Sequence, residues 1–234
     1  MHPNEFLEAI KAIAHNDTLN PKLWDGDKLI PEVRLQLMKI AKHFADFLNV
    51  EKLNLKDITI SGSNASFGYN DSSDLDLHLV AVVDPSQADL YDAKKNVYNA
   101  KYSIKIKGID VELYVQDYQQ KHYSAGIYSV LKNQWISKPD SSIPQVGHAE
   151  VKSKARNYAG RINQALRSND LNTARETMSN IRRLRKAGLE AGGEYSVENL
   201  AFKLLRARGQ IDKLVKYINK LEGASLSIKE KYES

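Results

Sequence analysis

Two aspartates one residue apart, Asp74 and Asp76, interrupt an otherwise apolar stretch containing Leu75, Leu77 and Leu79. Alternate residues of a strand share a face, so the leucines point into a core while Asp74, Asp76 and His78 point the other way. The two carboxylates would lie about 7 Å apart along such a strand, and left unpaired they would repel each other. A divalent cation accounts for the pair economically. The same parity operates in "DVELYV", residues 110 to 115, where Asp110, Glu112 and Tyr114 share one face and Val111, Leu113 and Val115 the other. If the two strands are neighbours, a third carboxylate joins the first two: Glu112, in mid-strand, is preferred, and Asp110, nearer a turn, is the alternative. Hard oxygen donors in a chain with no cysteine favour Mg2+ or Mn2+ over zinc. Such ions complete their shells with phosphate and water.

A polar loop, "SGSNASFGYNDSS", precedes the aspartates. Gly62 lets a backbone approach an anion closely, and Ser63 offers a hydroxyl and an amide N–H to phosphate oxygens. A Gly-Ser pair after a strand means little by itself. Its weight comes from its place: Ser63 lies eleven positions before Asp74.

Taken together, "SGSNASFGYNDSSDLDLHLV" resembles the signature of the DNA polymerase beta-like nucleotidyltransferase superfamily, and within it the minimal and antibiotic-modifying members. "VELYVQD" with "AGIYSVLKNQW" further resembles predicted nucleotidyltransferases of bacteria and their phages. The resemblance implies that Asp74 and Asp76 hold two Mg2+ (or Mn2+) ions on the triphosphate of an NTP, with Glu112 or Asp110 as third ligand. It implies in-line attack of a hydroxyl on the α-phosphorus, with pyrophosphate leaving. Gly62 and Ser63 would hold the terminal phosphates, with Asn64 and Ser73 as further nucleotide contacts. The acceptor stays open between an RNA 3′ end, a protein, a small molecule and a second nucleotide in an oligonucleotide messenger. From another class comes a module of the same fold that binds nucleotide or nucleic acid without turnover, of the toxin-antitoxin type.

The segments that must position these groups read as an α/β (α+β) pattern: a small mixed sheet flanked by helices, then an all-helical bundle. Phe6, Leu7, Ile10 and Ile13 recur at helical spacing, and Pro31 opens a second helix with Leu37, Ile40, Ala41, Phe44 and Leu48 on one side. Strands are expected at 57–61, 73–83 and 103–115, the last bent into a hairpin at Lys107-Gly108, with a helix between the second and third. The proline-, glycine- and serine-containing stretch 138–149 is the expected boundary. The resulting division is an N-terminal helical segment (1–29), a nucleotidyltransferase core (30–138), a linker (139–149) and a basic helical domain (150–234). Within that domain breaks are expected at Asn169-Asp170, near Gly192-Gly193 and at Gly209.

Charge is distributed unevenly. Residues 1–150 carry 16 Lys and Arg against 20 Asp and Glu, whereas residues 151–234 carry 18 against 9. The basic half is expected to face a polyanion, with RNA or a protein as possible acceptor, or to solvate helix surfaces. Arg182, Arg183, Arg185 and Lys186 are its densest cluster. His78 is expected to pack or hydrogen-bond locally and His122 to be inert, while Tyr69, Tyr114, Tyr123 and Tyr128 are core or rim aromatics or base-stacking groups. No apolar run reaches the length of a membrane span, no secretory signal is recognisable, and a cytoplasmic setting is expected.

Overall fold

The computed structural model describes residues 15–49, 53–71, 73–142 and 147–227. The helix expected over Phe6 to Ile13 lies outside them. The chain divides into two compact units, one containing the described residues up to 142 and the other those from 147 onward.

In the first unit, strands β1 (Trp24–Asp25) and β2 (Lys28–Leu29) form a small antiparallel hairpin, followed by helix α1 (Pro31–Leu48). Residues 15–29 are therefore not helical, contrary to the expected N-terminal helical segment. Gly26, at φ +61°, makes the bend, and Leu19, Leu23, Trp24 and Leu29 sink into the same core as the rest of the unit. Their apolar spacing serves a compact turn whose order is imposed by packing. Pro31 does open α1, and Val33, Leu37, Ile40, Ala41, Phe44 and Leu48 form its buried stripe.

The main sheet has six strands in the order β5-β6-β4-β3-β7-β8. Its members are β3 (Asn54–Ser61), β4 (Leu75–Val82), β5 (Lys105–Ile106), β6 (Ile109–Asp117), β7 (Ile127–Ser129) and β8 (Gln134–Ser137). β4 and β6 are parallel, joined by helix α2 (Ala88–Lys101), and the other pairs are antiparallel. The bend between β5 and β6 falls at Lys107 (φ +48°) and Gly108 (φ +83°), two positive φ values in succession as a two-residue hairpin of the type I′ kind requires. The stretch beginning "AGIYSVLKNQW" supplies β7 and β8, pinned by Trp135 and Tyr128 packing on Trp24.

Leu75, Leu77, Leu79 and Leu113 are fully buried against α1 and the tyrosines Tyr91 and Tyr98 of α2. Burying a leucine contributes roughly 1.5–3 kcal/mol. A one-residue slip of β4 would expose three leucines and bury both aspartates, a loss as large as a domain's whole stability. Apolar burial on one face thus fixes where the carboxylates stand on the other.

The second unit is a bundle of α3 (His148–Ser168), α4 (Leu171–Gly192), α5 (Val197–Ala207) and α6 (Gln210–Leu226). Its core includes Tyr158, Ile162, Met178, Ile181, Leu205 and Leu214. Asn169 ends α3 in the left-handed conformation, and the Asp170 carboxylate then accepts from Thr173 N at 2.8 Å to cap α4. Gly209, at φ +66°, separates α5 from α6 at the expected break. Among the described residues no helix is long and apolar enough to cross a membrane.

Candidate active site

β3 ends at Ser61, which pairs in register with Asp76 on β4. The next residue, Gly62, has φ +75° and ψ −162°, a region open essentially to glycine alone, and leads into a short 3-10 turn, Ser63–Ala65. A Cβ built on Gly62 would stand 2.0 Å from Asp76 Oδ2. The loop thus passes directly over the second aspartate, and the missing side chain makes that approach possible.

On the other side of β4, Glu112 is the register partner of Asp76, and Leu75 pairs with Val111. Asp76 is therefore flanked by Ser61 and by Glu112. Asp74 lies just before the first residue of β4. Asp110, the alternative third carboxylate, is 55% exposed and forms an ion pair with Lys105 across the β5–β6 hairpin at 2.7 Å. The structure brings Glu112 beside Asp76 and leaves Asp110 at the hairpin.

One row along, His78 pairs with Tyr114, and their rings stack with centroids 4.9 Å apart. The pKa of the Tyr114 hydroxyl is raised, first by burial and then by the negative charges of Asp76, Glu112 and Asp74. All three carboxylates therefore act on a single phenol. His78 is buried; Ser61 Oγ lies 3.0 Å from its Nε2, and His122 packs edge-on against it. Burial, with the charge of His122 next, lowers the pKa of His78 to about 3, so it stands neutral at physiological pH. His78 packs and hydrogen-bonds locally, as its position in the sequence suggests.

Asn64, expected as a nucleotide contact, has its side chain bonded inside the fold. It is fully buried. Its Nδ2 donates to the carbonyls of Ser73 (3.1 Å) and Asp74 (2.8 Å), and its Oδ1 accepts from Asn20 Nδ2 at 2.8 Å. Trp24 Nε1 donates to its carbonyl at 2.8 Å. The side chain is spent inside the fold, tying the Gly-Ser turn to the backbone that delivers Asp74. Ser73 is half-buried, and its hydroxyl accepts from Asn70 N at 2.9 Å. Ser63 is half-buried at the start of the turn, where its carbonyl accepts from Ser66 N at 3.1 Å.

Sequence spacing gives no sign of Ser124. Its hydroxyl accepts from Gly62 N at 3.0 Å and donates to Gly126 O at 2.9 Å, so the Gly62 amide is already bonded within the fold. A Cβ on Gly126 would meet Ala65 O at 1.8 Å, which fixes this second loop against the turn. The only sequence signal for this contact is the Ser-Ala-Gly composition of residues 124–126.

Asp74, Asp76 and Glu112 suit Mg2+ or Mn2+ in donor type; Asp76 and Glu112 pair in register on neighbouring strands, and Asp74 lies just before β4. As the side chains stand, no three His, Asp or Glu groups converge on one point among the described residues. In the helical unit, Arg185 is committed to Asn199 Oδ1 (2.9 Å) and to the face of Phe202, whereas Arg182 lines a groove of about 330 Å³ with Arg175, Met178 and Ile218.

No protein-family model and no curated protein matches the chain. One solved structure matched over most of both chains is described as a STING-associated CdnE c-di-GMP synthase from Capnocytophaga granulosa. It is 13% identical, covers 95% of this chain and 88% of that one, and superposes with a TM-score of 0.24, a likeness too distant to carry any argument about function.

Proposed function

We propose that the chain is a metal-dependent nucleotidyltransferase that moves a nucleoside monophosphate from an NTP to a hydroxyl acceptor and releases pyrophosphate. The observation that carries this reading is the seating of the Gly62 turn directly on Asp76, with Glu112 in register beside it. Asp74, Asp76 and Glu112 would hold the metal. When bound, Mg2+ or Mn2+ supplies charge neutralisation on the triphosphate and a lower pKa for the attacking hydroxyl. The chain's own residues orient: the β4–β6 register fixes the spacing of the carboxylates, Asn64 fixes the turn against them, and the turn offers backbone and Ser63 hydroxyl to the terminal phosphates. The acceptor oxygen then bonds to the α-phosphorus, the bond to the β-phosphate bridging oxygen breaks, and the hydroxyl proton leaves to solvent.

A second reading, a nucleotide-binding module without turnover, draws on two observations. The three carboxylates do not converge among the described residues, and Gly62 N is bonded to Ser124. The basic helical unit suits a polyanionic acceptor such as RNA, for which affinity would fall steeply with salt.

Incubation with labelled NTPs and Mg2+ or Mn2+, with and without total RNA, separates the two. The enzyme reading expects pyrophosphate and a labelled product that an Asp74→Ala, Asp76→Ala double variant does not form. Nucleotide binding without product supports the module, and equal signal from the double variant ends the enzyme reading.

A further inference from the structure

We infer that Ser124 is a positioning residue whose hydroxyl latches the Gly62 turn in the conformation that takes the terminal phosphates of a nucleotide. This rests on the reading of that turn as the phosphate holder. Topology brings Ser124 there. β6 ends at Asp117 beside Ala81, near the C-terminal end of β4, and Tyr118 N donates to Ala81 O at 2.8 Å. β7 begins at Ile127, next to Tyr128, the register partner of Ile60 near the end of β3. In the sheet, β4 and β3 stand between β6 and β7. Residues 118–126 must therefore cross both strands, and they do so on the carboxylate face, where His122 packs edge-on against His78 with ring centroids 4.9 Å apart. The crossing ends on the turn that overlies Asp76.

At the turn the contacts close a ring. Ser124 Oγ accepts from Gly62 N at 3.0 Å and donates to Gly126 O at 2.9 Å. Gly126 lies so near Ala65 O that a Cβ would stand 1.8 Å from it, and Ala65 N donates back to Gly62 O at 3.1 Å. One short segment, 124–126, thus holds the turn at both of its ends. Glycine loses more conformational freedom on ordering than any other residue, and Gly62 is held at φ +75°, ψ −162°. A ligand that had to order this turn itself would bind more weakly by that cost. Ser124 orders it beforehand, and does so through Gly62 N rather than through the Ser63 hydroxyl and amide that the reading assigns to phosphate.

The test combines amide hydrogen exchange of Gly62, followed by NMR on the full chain, with calorimetric binding of inorganic triphosphate in the presence of Mg2+. Ser124→Ala removes one hydrogen bond, and is expected to speed Gly62 exchange about tenfold and to weaken triphosphate binding about tenfold. Leu77, in the core of β4, should exchange as in wild type, because the effect is local. Ser124→Thr keeps the hydroxyl and should stay within about twofold of wild type in both measurements. Unchanged Gly62 exchange in Ser124→Ala overturns the inference. So does faster exchange with unchanged affinity, equal acceleration at Leu77, or a Ser124→Thr variant that behaves like Ser124→Ala. Each of these leaves the phosphate reading of the turn standing. If the wild type binds no triphosphate, that reading falls and the inference with it, so the two failures are told apart. Should Ser124→Ala not fold, Ser124→Cys, of similar size but with a weak sulfur acceptor, is read by the same criteria.

Discussion

A methyl group on Gly62 would stand 2.0 Å from Asp76 Oδ2. Backbone and carboxylate meet with no room for a side chain, at a residue whose φ of +75° already excludes most others. Gly62→Ala therefore carries a conformational penalty of order 1–3 kcal/mol together with displacement of the carboxylate. A stability loss of about 2 kcal/mol in urea unfolding is expected, with pyrophosphate release reduced to the level of the Asp74→Ala, Asp76→Ala variant. A fully active Gly62→Ala protein would show that the turn does not seat on Asp76 during turnover.

Glu112 and Asp110 are separable. Glu112→Gln is expected to abolish nucleotidyl transfer with little change in melting temperature. Asp110→Asn removes an exposed ion pair with Lys105, worth at most about 1 kcal/mol, and activity should stay within about twofold of wild type by that same measure of weak coupling. Steady-state rates of the two variants decide the matter, and the reverse pattern would transfer the ligand role to Asp110.

Asn64→Ala is expected to act on folding. The change leaves the carbonyls of Ser73 and Asp74 and the amide of Asn20 without their partner inside the fold. Each orphaned buried group costs about 1–3 kcal/mol, so for the three a total loss of at least about 3 kcal/mol is expected by denaturant unfolding. A variant of wild-type stability with weakened NTP affinity would instead make Asn64 a nucleotide contact.

Gly188 tests the bundle. On helix propensity alone Gly188→Ala should stabilise by about 1 kcal/mol. A Cβ there, however, would lie 2.7 Å from Glu198 Cβ and 2.9 Å from Ser196 Oγ. Overpacking of that kind costs about 1–3 kcal/mol, and it also presses on the Glu198 carboxylate that pairs with Lys154 at 3.0 Å. Net destabilisation is expected in thermal unfolding; a raised melting temperature would mean that α5 yields freely.

The two-residue period of "DLDLHLV" and of "DVELYV" already assigns each side chain to a face, because strand geometry alternates strictly and leucine burial is worth kilocalories per residue. The Lys107-Gly108 bend, the Pro31 helix start and the break at Gly209 were equally available to reading, since each depends on a backbone preference local to a few residues. Local chemistry could not say which strand lies beside β4 and in what register. Only the tertiary arrangement sets Glu112 against Asp76 and leaves Asp110 with Lys105. It likewise turns Asn64 inward, brings Ser124 to Gly62 from sixty-two residues away, and folds residues 15–29 into the core where a helix is expected. These outcomes depend on hydrogen bonds and packing between segments distant in sequence, and no periodicity within a segment records its partner.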